Sequence, residues 1–207
     1  MHASHNQGMR LIERESQLAA LHEYAKEAGR GQGRLVLISG EAGVGKSVLL
    51  EEFAQESKGA RWLWAGCDGL FTPAALGPLL DIASQLDGAL LRLCRAGAKR
   101  DQLYGALVRQ LSGTRTLTVI VIEDVHWADE ATLDLLSYLG RRIQYLGVLL
   151  LVTYRDDALA ADDHCGSHSA AWQVSERLAD SPCQASRRRE SQHWHRAPGS
   201  TRLSYTG

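Results

Sequence analysis

The 207-residue chain has no apolar run long enough to cross a bilayer, so no membrane-spanning helix is expected. Its opening, MHASHNQGMR, has no apolar stretch after its charge and does not read as a secretion signal. Neither sign of charge is in excess. The 23 Lys and Arg against 24 Asp and Glu give a formal net charge of −1, which points neither to nucleic acid nor to a membrane surface. Cysteine is sparse: Cys67, Cys94, Cys165 and Cys183 contain no pair at metal-ligand spacing, and a chain of this size needs no disulfide staples. Isolated thiols in a reduced, cytoplasmic protein are the expectation. The last 48 residues, from Ala160 on, hold one valine (Val174), two leucines (Leu178, Leu203), six arginines, and no isoleucine, methionine, phenylalanine or lysine. Such a stretch cannot bury enough apolar surface to offset its ordering entropy, so residues 159–207 are expected to form an irregular, disordered tail. Residues 1–10 are expected to be disordered as well.

What is present lies in residues 11–158. RLVLIS (34–39), RWLWAGC (61–67), LTVIVIED (117–124) and GVLLLVTYRDD (147–157) are short apolar runs bounded by turn or polar residues, and read as buried strands. Between and before them lie helical periods. Leu18, Leu21, Ala25 and Ala28 share one face of a helix over 11–28. Leu49, Leu50, Phe53 and Ala54 do so from Lys46 to about Ser57, and Leu103, Leu107 and Leu111 over 101–112. Leu133, Leu136, Tyr138 and Leu139 form the apolar face over 129–143. A further helix is expected from about Ala75 to Leu86. Strands alternating with helices imply an α/β fold with a parallel sheet covered on both faces, a three-layer sandwich.

The first strand runs into Gly40, four residues, then Gly45-Lys46-Ser47, which opens a helix. This is the P-loop pattern in its confirming strand–loop–helix setting. Glycines let successive backbone N–H groups of Gly40, Glu41, Ala42, Gly43, Val44 and Gly45 turn toward one anion. The helix N-terminus adds partial positive charge. Lys46 is the candidate for the β- and γ-phosphates and the Ser47 hydroxyl for Mg²⁺. A Gly-rich turn with an incidental lysine is the bland alternative.

The third strand ends in Glu123 and Asp124. Four apolar residues followed by acid is the Walker B pattern. Glu123 is the expected holder of the Mg²⁺ shell and Asp124 the expected polariser of the attacking water, although the order of the two acids is reversed from the usual one. Asp129 and Glu130 read as N-terminal acids of the next helix. If the fourth strand lies between the first and third, Thr153 and Arg155 emerge beside the γ-phosphate, where Arg155 would sense it.

Together, GEAGVGKSVLLEEFA, VIVIEDVHWADEATLDLLSYL and LLLVTYRDD resemble the ATPase domain of bacterial regulators with a LuxR-type output domain, and of Orc1-like AAA ATPases, within the STAND class of signalling ATPases. LIERESQLAAL resembles the opening box of these domains. The resemblance covers about residues 11–157, and HWADEAT (126–132) is its most family-specific part. It implies ATP and Mg²⁺ at Gly40–Ser47, with Glu123 and Asp124 as the Walker B pair and Arg155 as a sensor. Leu11–Arg14 would cover the adenine. It also implies slow hydrolysis that switches an assembly, with self-association or regulator domains as partners.

The family continues past residue 157 with a helix, a fifth strand and a helical subdomain, none of which is evident here. A shift of reading frame near 160–165 would produce the abrupt change in composition. With the usual order 5-1-4-3-2, a missing fifth strand would leave RLVLIS as an exposed edge, and marginal stability is expected. The alternative function is a fragment that binds nucleotide without turnover, since a partner arginine can be worth about 10³ to 10⁵ in rate. A GTPase lacks its guanine-reading Asn-Lys-x-Asp motif here. A small-molecule kinase lacks a multi-arginine lid, because only Arg141 and Arg142 stand between the third and fourth strands. The cluster Arg187–Arg189 is read as solvated, not as a direct nucleic-acid contact.

Overall fold

The apolar runs form strands; those richest in leucine, isoleucine and valine are buried on both faces, whereas the run at 61–66 is only partly buried on one of them. β1 (Arg34–Gly40), β2 (Arg61–Gly66), β3 (Thr118–Glu123) and β4 (Val148–Tyr154) all pair in parallel. Every residue of β4 is buried, because β4 lies between β1 and β3: Leu37 stands opposite Val152, and Ile120 opposite Leu150. The computed structural model describes residues 5–69, 75–86, 88–114, 116–155 and 201–205, and side chains only between 14 and 155.

Alternation along each strand sends side chains to two separate cores. On one face, Val36, Ile38, Val119, Val121, Leu149 and Leu151 meet Leu18 and Leu21 of α1 (His5–Gly29) and Leu49, Leu50 and Phe53 of α2 (Lys46–Glu56). On the other, Leu35, Leu37, Leu63, Ile120, Ile122 and Val152 meet α3 (Gly77–Leu86), α4 (Ala89–Arg95), α5 (Arg100–Ser112) and α6 (Glu130–Gly140). This is the expected three-layer α/β sandwich. Each of Leu18, Leu21, Ala25, Ala28, Leu103, Leu107 and Leu111 is buried, as the helical periods require. α4 has no counterpart among the sequence-based expectations, since seven residues are too few to set a period.

Two expectations are corrected. α1 begins at His5, inside the stretch expected to be disordered. Residues 5–10 are mostly polar and carry no apolar period, but extending an existing helix by a turn requires no new nucleus. The missing fifth strand is also corrected. β5 (Thr201–Tyr205) runs parallel to β1, with Val36 opposite Thr201 and Gly40 opposite Tyr205, giving the order β2-β3-β4-β1-β5. RLVLIS is therefore paired on both sides, and among the described residues β2 and β5 form the edges. The short TRLSY run carries little strand signal because it holds one aliphatic residue, yet backbone pairing asks only for an extended segment, and Thr, Leu and Tyr at alternate positions tolerate one. The remainder of the expected irregular tail, including Cys165, Cys183 and Arg187–Arg189, lies outside the described residues, as do residues 1–4. Among the described residues no helix is long and apolar enough to cross a membrane.

Candidate functional site

Parallel strands bring their carboxyl ends to one edge of the sheet, where open α/β folds place ligands. β1, β4 and β3 end there side by side, so the loop after β1 faces the acids after β3 and the polar end of β4. In that loop Gly43 (φ 78°) and Gly45 (φ 96°) are left-handed, and a Cβ at either would meet nothing within 4 Å. Glycine is needed there for conformation, not for room. Gly45 is the N-cap of α2 and supplies no side-chain cap, so the first-turn N–H groups of α2 remain available to an anion. Lys46 is buried, and its ammonium donates to the carbonyls of Gly40 (2.8 Å) and Glu41 (2.9 Å). Its charge is thus centred under the loop, where the P-loop pattern requires it.

Ser47 and Glu123 meet across 76 residues of sequence: the Ser47 hydroxyl donates to Glu123 Oε1 at 2.5 Å. A hydroxyl and a carboxylate oxygen held together suit Mg²⁺, a hard cation that prefers oxygen ligands and keeps several waters. The first acid of the pair is therefore the one beside Ser47. Asp124 takes a left-handed backbone (φ 56°, ψ 44°), which turns the chain out of the sheet, and its side chain is 44% exposed.

β4 lies between β1 and β3, so the condition set for Arg155 is met: it stands one residue beyond Tyr154, which is opposite Ser39 of β1. Thr153 makes a contact that its position in the sequence does not announce: its side chain is buried, and its hydroxyl accepts the Asp124 N–H at 3.0 Å. The register of two strands decides that contact, and sequence spacing alone does not reveal it. The left-handed turn at Asp124 had a weaker signal, because Asp is one of the few residues that tolerate this conformation.

HWADEAT builds the wall beside the acids. Asp129 is the N-cap of α6, its Oδ1 accepting from the N–H groups of Ala131 (2.9 Å) and Thr132 (3.1 Å), while Oδ2 accepts from Leu76 N at 3.2 Å. Asp129 and Glu130 are thus helix-start residues, as expected. The Trp127 ring lies on Gly69, where a Cβ would come within 2.5 Å of it, and so ties the exit of β2 to the exit of β3. The His126 side chain is 5% exposed, with Nδ1 3.8 Å from Asp124 Oδ1. Cys67, whose N–H donates to the Glu123 carbonyl at 2.9 Å, is a thiol pushed up to about 12 by burial and then by Asp129, Asp124 and Asp81. It packs against the core beneath α3–α6. Of the opening box, Arg14 pairs with Glu52 of α2 at 2.7 Å, and the side chains of 11–13 lie outside the described ones.

The family model of the AAA ATPase domain matches residues 10–152. An uncharacterized protein of Rhizobium meliloti (strain 1021) is 31% identical over 70% of this chain, which spans 18% of that relative's length. Similar solved structures include a chain of the Drosophila ORC bound to AT-rich DNA and Cdc6 (TM-score 0.56, 13% identity, 99% of this chain and 59% of that one). Another is the Walker-type ATPase of Pyrococcus abyssi (TM-score 0.50, 16% identity, 72% of this chain and 47% of that one). At these identities the likeness shows the fold.

Proposed function

The chain belongs to the AAA ATPase domain family, and from that premise we propose that residues 11–158 form a core that holds ATP with Mg²⁺ at Gly40–Ser47. The observation that carries this reading is the meeting of Ser47 with Glu123 beside a glycine loop centred on Lys46. In it, backbone N–H groups of Gly40–Gly45 and the α2 N-terminus take the phosphate oxygens, and Lys46 adds a positive charge. Ser47 and Glu123 would hold Mg²⁺, which would supply neutralisation of the phosphate charge. Asp124, turned out of the sheet and partly exposed, is the group for orienting and deprotonating the attacking water. Arg155 at the end of the central strand is the γ-phosphate sensor. Arg142 lies over the Tyr138 ring, 3.7 Å from its centroid, a commitment that disfavours a kinase-type arginine lid.

The finer reading follows the resemblance: a switch of the STAND class, in a regulator with a LuxR-type or related output, that couples slow hydrolysis to self-association. Phosphate release by wild type, Lys46→Ala and Asp124→Asn separates this from a binding-only module. Turnover that depends on both residues supports a competent ATPase. Binding that depends on Lys46, with phosphate release at background in all three, supports the module that binds without turnover.

A further inference from the structure

We propose that Thr153 is the positioning residue for Asp124: its hydroxyl fixes the backbone turn that sets where the Asp124 carboxylate stands. The inference rests on the reading of Asp124 as the water-orienting acid. Asp124 is one of two non-glycine residues with positive φ among the described residues, the other being Leu76. A left-handed residue with a Cβ is disfavoured and persists only where its surroundings over-determine it. At Asp124 both backbone groups are held. The N–H donates to Thr153 Oγ1 at 3.0 Å, and the carbonyl accepts from Trp127 N at 2.9 Å. Only the carboxylate is left to reach outward.

The holder is itself rigid. Thr153 is 1% exposed, on the central strand β4, opposite Ile38 of β1 and next to Val152, which is opposite Ile122 of β3. The β3–β4 ladder ends at that last pair, so the Asp124 N–H has left the regular sheet pattern and takes a side-chain oxygen in place of a strand carbonyl. Arg155 stands two residues after Thr153. One strand end therefore carries both the hydroxyl that fixes the acid and the arginine proposed to read the γ-phosphate, and a shift of β4 moves the two together.

The hydroxyl is the whole of the claim, so Thr153→Val, which keeps the shape, and Thr153→Ser, which keeps the oxygen, test it. Amide hydrogen exchange at Asp124, followed by NMR without nucleotide, is expected to speed up about tenfold in T153V and to stay near wild type in T153S. With Mg-ATP, T153V is expected to lose about tenfold or more in kcat while nucleotide affinity stays within about twofold, with T153S restoring the rate. Unchanged exchange at Asp124 in T153V overturns the proposal whatever the turnover. Equal losses of rate and affinity in T153V and T153S overturn it as well, because they mark general damage to the sheet. A wild-type chain with no Lys46-dependent binding would overturn the nucleotide reading instead, and the exchange measurement would still decide whether Thr153 holds the turn.

Discussion

At the scale of single residues, the site divides into a local part and a part assembled from a distance. Gly40–Ser47 is local: its glycines, lysine and serine sit at fixed spacing in one loop, and it is fully legible in the sequence. The acids were legible as a pair, because four apolar residues before them mark a strand end. The structure adds the contact of the first acid, Glu123, with Ser47. The partner of Thr153 was not legible, since a contact across 29 residues depends on strand register. Glu123→Gln is expected to reduce the gain in ATP affinity that Mg²⁺ brings by about tenfold, whereas Asp124→Asn leaves that affinity near wild type and abolishes turnover. Titrations with and without Mg²⁺ check the pair. Cys67 gives a pH prediction. Its thiol is raised from 9.0 to about 12, so between those values the folded chain keeps a proton that the unfolded chain has lost. Stability contributed by the neutral thiol is complete below pH 9 and declines as pH rises through the window. In thermal melts, Cys67→Ala should show a shallower decline above pH 9 than wild type.

At the scale of elements, the long periodic helices and the apolar strands were readable, and the failures were short or polar. α4 was too short, the start of α1 too polar, and β5 had one aliphatic residue. Elements also meet through side chains that no period announces. β2 is an edge strand, and Gln85 of α3 closes part of that edge: Trp64 N donates to Gln85 Oε1 at 2.9 Å, and Gln85 Nε2 donates to the Trp64 carbonyl at 2.5 Å. The amide imitates a neighbouring strand and blocks the pairing that an open edge invites. Gln85→Leu should lower stability by about 1–3 kcal/mol and raise concentration-dependent self-association, both measurable by melting and light scattering. Asp129 joins α6 to the turn at Leu76, so Asp129→Ala loses an N-cap and a tether together. A loss of about 1–2 kcal/mol, or a Tm lower by about 2–8 °C, is expected.

At the scale of the molecule, the sheet holds β1 in the middle of its loop-bearing half, between β4 and β5, and both neighbours brace the phosphate loop. The partner on the β5 side comes from sequence-distant residues 201–205. Ending the chain at residue 200 should therefore expose β1 and produce a lower, broader melt with aggregation, and an unchanged melt would deny β5 a bracing role. In the proposed function this framework holds a nucleoside triphosphate, and calorimetric titration of the 207-residue chain with Mg-ATP tests that most directly. Saturable binding is expected in wild type, weakened at least about tenfold in Lys46→Ala, since that change removes the charge held at the loop. Equal affinity in the two proteins, or no binding by a folded wild type, would contradict it.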